Sequence, residues 1–228
     1  MFKKIVHALV RWMINLIARV QIIGAENIPQ GGFIAVSNHI GRLDAFMVYY
    51  ILQRQDIILL AAEKYQHVPL WRWIGNQLEV IWVDRFNADF KAVREVLRRL
   101  KAGGMLGVAP EGTRSKTGVL DYGKPGGVYL AARSGLQVLP VAVTGTYDPE
   151  VRARLRRLRR LDITVKFGKP FIIPQVKASD KDTLLQAYTD EVMCRIAVLL
   201  PERMWGVYAG HPRLKELLAE APQPEPGR

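Results

Sequence analysis

Six short apolar runs recur along the chain, near 32–37, 57–62, 78–83, 105–109, 138–144 and 162–167, and helical patterns near 44–53, 88–102, 125–134 and 180–199 fall between them. Strands buried on both faces read as continuous apolar runs, and strands that run parallel need a crossover, usually a helix, to join them. The alternation therefore predicts an α/β fold, with a mixed, mostly parallel sheet flanked by helices. The chain has 228 residues, 49% of them apolar, which suffices for one substantial core, and no linker-like break or internal repeat interrupts it. We expect a single domain over 24–218, an N-terminal helical segment over 1–23, and a polar, proline-rich tail over 219–228 that is disordered.

The chemistry begins just after the first strand-like run, Gly32 to Ser37, where Asn38 and His39 precede Asp44. Five residues of continuous helix would turn His39 and Asp44 about 140° apart, so the two cannot meet on one helix. His39 must lie before the helix predicted over Ala45 to Leu52, with Gly41 marking the turn. Asp44 then falls near the helix N-terminus, where backbone amides keep it ionised and it can accept the imidazole N–H. A neutral imidazole so held can take a proton from an alcohol. The same residues also fit an N-cap and a turn histidine with no catalytic part.

A second site follows the run Met105 to Ala109, which leads directly into Pro110-Glu111-Gly112-Thr113-Arg114-Ser115. Glycine lets a ligand approach the backbone, a guanidinium matches phosphate oxygens, and the hydroxyls of Thr113 and Ser115 offer further donors. The composition suits an anion. A surface turn closed by a Glu111–Arg114 ion pair would have the same composition.

Together and in this order, the segments resemble the glycerolipid acyltransferase family. Four blocks carry the resemblance: Asn38-His39 with Asp44; the apolar run from Val80 ending in Asp84-Arg85; Pro110 to Ser115; and Val138 to Val143, an apolar strand interrupted by Pro140. The first and third are specific, and the other two corroborate. The resemblance implies a fatty acyl transfer from an acyl thioester, carried by coenzyme A or acyl carrier protein, to a hydroxyl of a lysophospholipid, above all 1-acylglycerol-3-phosphate. It implies His39 as general base with Asp44 fixing its tautomer, and Arg85 and Arg114 as phosphate ligands within a binding set of Glu111, Gly112 and Thr113. Glu111 would orient Arg114 or the loop backbone. Lys64 and Lys124 stand where members often carry basic residues. No cofactor and no metal is implied. Oxyanion donors would be backbone amides near Gly112 or in the first-block turn. The chain departs from the family pattern at Gly41 and Arg42, where members often carry a small hydroxyl residue and an aromatic one, and at Ala109, which replaces a frequent aromatic.

Other chemistries find less support. No Gly-x-Ser-x-Gly occurs, Gly123-Lys124 is followed by Pro125 where a phosphate loop needs Ser or Thr, and His7, His67 and His211 lack metal-ligand spacing. Cys194, the single cysteine, lies in the apolar pattern Tyr188 to Leu200 and reads as a core residue.

On a helix, Lys4, His7, Arg11, Asn15 and Arg19 share a narrow polar edge, while Ile5, Leu9, Trp12, Met13, Leu16, Ile17 and Val20 fill much of the rest. Arg11, Asn15 and Arg19 interrupt the run too often for a transmembrane span. The pattern predicts an amphipathic helix at the membrane interface, on the cytoplasmic face, although a helix packed on the core would share the amphipathicity. A formal charge of +12 favours an anionic membrane surface as partner. The densest basic run, Arg152 to Arg160, could face lipid, an acidic carrier protein or water. Within the enzyme class, acyl transfer to another hydroxyl acceptor, or between phospholipids, is the alternative; a non-catalytic basic module binding anionic membrane or nucleic acid is the alternative of a different class, but it has no use for a histidine–carboxylate pair, and nucleic acid is not expected.

Overall fold

The computed structural model describes residues 2–84, 89–176 and 181–220. Strand β2 (Phe33–Ser37) is central, and β6 (Met105–Val108) and β7 (Gln137–Thr144) pair with it in parallel on either side. Successive side chains of a strand point to opposite faces. Phe33 and Met105 accordingly enter the apolar cluster beneath α1 (Phe2–Ile17) and α2 (Asp44–Leu52). Ile34 and Leu106 enter the cluster beneath α4 (Phe90–Lys101), α5 (Gly126–Ser134) and α7 (Lys181–Leu199). The result is a three-layer α/β sandwich.

The main sheet runs β1 (Ala18–Ile23), β8 (Leu161–Phe167), β7, β2, β6, β3 (Ile57–Ile58), with β9 (Phe171–Ile172) also on β7. Among the described residues, only the β7–β8 and β7–β9 pairs of this sheet are antiparallel. Proline inside a central strand removes a ladder donor and is normally excluded there. Pro140 is tolerated because it falls where the flanking partner of β7 changes, from β9 opposite Gln137 and Val138 to β8 opposite Val141 to Thr144.

The chain departs from the expected elements in three places. The run 57–62 is not one strand: β3 joins the main sheet, while β4 (Leu60–Ala62) pairs with β5 (Ile81–Val83) in a separate two-stranded sheet. The N-terminal helix stops at Ile17, and 18–23 form β1 in parallel register with β8, Ala18 opposite Leu161, because the alternation Ala-Arg-Val-Gln-Ile suits an edge strand. Arg19 and Val20 therefore belong to no helix face. The third difference is added helices: α3 (Pro69–Gln77), α6 (Asp148–Arg156) and α8 (Pro212–Glu220), the last carrying the ordered chain past 218. Residues 221–228 of the expected tail lie outside the described residues.

Helix α1 presents three faces. His7, Val10 and Ile14 are buried, so His7 leaves the expected polar edge; its ring nitrogens lie 3.1 and 2.9 Å from the carbonyl oxygens of Tyr49 and Arg54 at the end of α2. Asn15 accepts the Tyr50 hydroxyl at 2.8 Å, and Arg11 lies over the same ring. Ile5, Leu9, Trp12 and Leu16 form an apolar face open to solvent, each more than half exposed. Among the described residues, no helix is long and apolar enough to cross a membrane.

Candidate active site

The site sits at the C-terminal ends of β2 and β6. Asn38, directly after β2, is 1% exposed and exchanges two 2.8 Å hydrogen bonds with the backbone of Val143 in β7, which pins the chain as it leaves the sheet. The turn over residues 40–43 then brings Asp44, first residue of α2, back beneath His39. His39 Nδ1 lies 2.9 Å from Asp44 Oδ2, which also accepts the backbone N–H groups of Ile40 at 2.8 Å and Gly41 at 2.9 Å. Three donors on one buried oxygen fix the orientation of the carboxylate. Nδ1 faces the carboxylate, so the more open imidazole edge presents Nε2 to whatever enters the site.

Gly41 is needed here. A Cβ at this position would stand 1.7 Å from the carbonyl oxygen of Thr146, so the hydroxyl residue common in the family has no room in this backbone.

The second block folds over the first. Ser115 donates its backbone N–H to the His39 carbonyl at 2.7 Å, and Glu111 Oε1 accepts the His39 backbone N–H at 2.9 Å. Glu111 Oε2 accepts from the Asp121 backbone at 3.3 Å. With both oxygens so engaged and the residue 3% exposed, Glu111 ties the two loops together; of the two expectations for it, orienting Arg114 or the loop backbone, its contacts are with backbone, and among the described residues it makes no ion pair with Arg114. Burial pushes its carboxyl up to about 7, against the backbone donors that favour the charged form.

Arg114 is held instead by Asp148, at the start of α6: Nη1 donates to Oδ2 at 2.6 Å, while Asp148 Oδ1 accepts the backbone N–H of Arg42 at 2.9 Å. Asp148 is a site residue that sequence reasoning did not find. Gly112, at φ 70°, packs against the stem of Lys124, which brings that lysine to the loop that carries Arg114. Thr113 is exposed there. The Ser115 hydroxyl is spent on its own turn, donating to Val119 O and accepting from Gly118 N. Lys64 stands apart, on an exposed turn after β4 with its ammonium over the Tyr65 ring. Arg85 lies outside the described residues. Of the expected oxyanion donors, the amides of Ile40 and Gly41 are taken by Asp44 and that of Gly112 by Ala109 O. Cys194 is fully buried beside His211, and burial pushes its thiol up to about 12, as befits a core residue.

An imidazole aimed outward from a carboxylate, beside a glycine-bearing loop with a guanidinium, is an arrangement able to take a proton from a hydroxyl next to a cationic group. The acyltransferase family model matches residues 19–144, and the chain belongs to that family. It is 31% identical over 173 residues to a 1-acyl-sn-glycerol-3-phosphate acyltransferase of Limnanthes douglasii, covering 75% of this chain and 60% of that protein. It is 29% identical over 177 residues to the Cocos nucifera enzyme of the same name, covering 74% of this chain and 54% of the relative. The chain thus spans little more than half the length of these curated relatives. The crystal structure of the 1-acyl-sn-glycerophosphate (LPA) acyltransferase of Thermotoga maritima superposes with a TM-score of 0.63 at 27% identity, covering 83% of this chain and 76% of that one.

Proposed function

We propose that this protein acylates 1-acylglycerol-3-phosphate to phosphatidic acid, using an acyl thioester of coenzyme A or acyl carrier protein. The observation that carries the reading is the His39–Asp44 contact of 2.9 Å, formed beside the Arg114 loop. His39 Nε2 takes the proton of the acceptor hydroxyl, and the oxygen attacks the thioester carbonyl. Collapse of the tetrahedral intermediate expels the thiolate, which recovers the proton from the imidazolium. Asp44 holds the ring in the tautomer this requires. Arg114, joined by Lys124, holds the acceptor phosphate so that its hydroxyl meets His39, the positioning that a charged clamp supplies. The backbone amides of Thr113 and Arg114, which make no hydrogen bond among the described residues, serve the oxyanion.

The names of the relatives support the acceptor. The exposed apolar face of α1, with Trp71 and Trp73 exposed on α3 and Phe2 stacked edge-on against Trp73, supports catalysis at a membrane surface. The test supplies lysophosphatidic acid, glycerol 3-phosphate and a neutral lysolipid separately, each with acyl-coenzyme A. Phosphatidic acid formed from the first acceptor, and lost in His39→Ala, is the expected result; acylation of the neutral lysolipid alone would refute the phosphate reading.

A further inference from the structure

The proposed acyl transfer leaves unused the densest run of basic residues in the sequence, Arg152 to Arg160. From Arg152 to Arg160 every residue is exposed. The loop after α6 and the edge strand β1 together border a basin of about 580 Å³ in which, among the described residues, Asp162 is the one acidic side chain. Two of its arginines serve the fold. Arg154 pairs with Asp162 at 2.6 Å and supports the Arg160 carbonyl at 2.8 Å, and the Arg160 guanidinium grips the carbonyls of Asn15 and Ala18 where α1 ends. Arg19, Arg157 and Arg159 have no ion-pair partner among the described residues. Between the last two projects Leu158, 95% exposed and held at φ 53°, a left-handed conformation that leucine seldom adopts.

A leucine raised among unpaired guanidinium groups matches a partner that is anionic at its surface and apolar beneath. An acidic protein or a nucleic acid would meet the charge alone. The neighbouring surface decides between them: Arg160 stitches this loop to the end of α1, whose face of Ile5, Leu9, Trp12 and Leu16 runs apolar and exposed up to that end. A long apolar stripe that terminates in cations fits a bilayer bearing acidic headgroups. We infer that Arg19, Arg157 and Arg159, with Leu158 between the latter two, form a headgroup site for anionic phospholipid that sets how the protein sits on the bilayer. Each guanidinium donates to lipid phosphate oxygens, and Leu158 enters the acyl boundary. This rests on the membrane-surface part of the function proposed above.

Vesicle sedimentation of the full chain tests it, with phosphatidylcholine alone and with phosphatidylcholine containing about one-third phosphatidylglycerol. Wild type should prefer the anionic vesicles, and the preference should shrink with salt. The double variant Arg157→Gln/Arg159→Gln should lose on the order of thirtyfold in partition onto them, keep its binding to neutral vesicles, and retain acyl transfer to detergent-dispersed substrate. Leu158→Asn, which suits the left-handed backbone, should fold at least as stably yet bind both vesicles less. Equal binding of wild type and double variant to anionic vesicles would overturn the headgroup site while leaving the surface reading intact. Binding of wild type to neither vesicle would overturn both. If the double variant instead lost affinity for acyl carrier protein and kept its vesicle binding, the patch would belong to the donor protein and the inference would fall.

Discussion

Arg114 Nη1 stands 2.6 Å from Asp148 Oδ2, so the guanidinium proposed to bind phosphate already has a carboxylate partner. An arriving phosphate must share or displace that carboxylate against like-charge repulsion. Asp148→Asn keeps an acceptor for the Arg42 N–H and removes the charge. The expected outcome is a KM for lysophosphatidic acid lower by about threefold to tenfold, with kcat little changed. Arg114→Ala should do the reverse, raising KM for phosphate-bearing acceptors and sparing neutral ones. Initial rates over a range of acceptor concentrations separate the two parameters, and an unaltered or raised KM in a folded Asp148→Asn protein would show that the carboxylate does not compete.

Removing the base should cost turnover without costing the fold. His39 is about a quarter exposed and, among the described residues, its ring makes a hydrogen bond to Asp44 alone, so His39→Ala should melt near wild type while kcat falls about 10²–10⁴-fold. Asp44→Asn should lower kcat in the same direction, and it should also loosen the turn, since Asp44 Oδ2 accepts the amides of Ile40 and Gly41. Near-normal acyl transfer by folded His39→Ala would remove the imidazole from the mechanism.

Glu111 makes stability depend on pH. Its carboxyl is raised to about 7 in the folded protein, from an ordinary value of 4.5, chiefly by burial. Above pH 4.5 the unfolded chain loses this proton while the folded chain keeps it, so stability falls as pH rises toward 7 and levels off beyond. A rise of that size corresponds to on the order of 3 kcal/mol. Urea melts at pH 5 and pH 8 should show wild type losing more stability across this window than Glu111→Gln. Parallel losses in the two proteins would mean that Glu111 is ionised in the fold throughout.

The contacts that are legible in the sequence are those between residues that lie close along the chain. His39 and Asp44 meet because a strand end, a glycine turn and a helix start are all local events. The sheet is legible for a similar reason: strands buried on both faces, such as Phe33–Ser37 and Gln137–Thr144, leave continuous apolar runs. Asp148 is not legible, since it reaches Arg114 only through the register of β7 and the placement of α6, a helix whose single buried residue, Val151, leaves no apolar period. Residues 18–23 misread as helix because their apolar positions also continue the stripe of α1, and only the pairing of Ala18 with Leu161 decides for strand. The Glu111–Arg114 pairing looked natural from spacing, but burial draws Glu111 inward to the amides of His39 and Asp121.

Gly41 gives the sharpest test of how the two halves of the site are joined. It departs from the family pattern, yet a Cβ there would lie 1.7 Å from the Thr146 carbonyl oxygen, far inside contact distance and against backbone that cannot rotate away. Thr146 is fully buried and lies two residues before Asp148, so a displaced Thr146 would also move the carboxylate that holds Arg114. On the other side, the Gly41 N–H is one of the three donors to Asp44 Oδ2. Gly41→Ala should therefore destabilise the protein by about 1–3 kcal/mol, as overpacking does, and in addition lower kcat and raise the acceptor KM together. Thermal melts and steady-state kinetics on one preparation check both. A Gly41→Ala protein with unchanged melting temperature and unchanged kinetics would mean that the first-block turn and the Thr146 segment are not in contact.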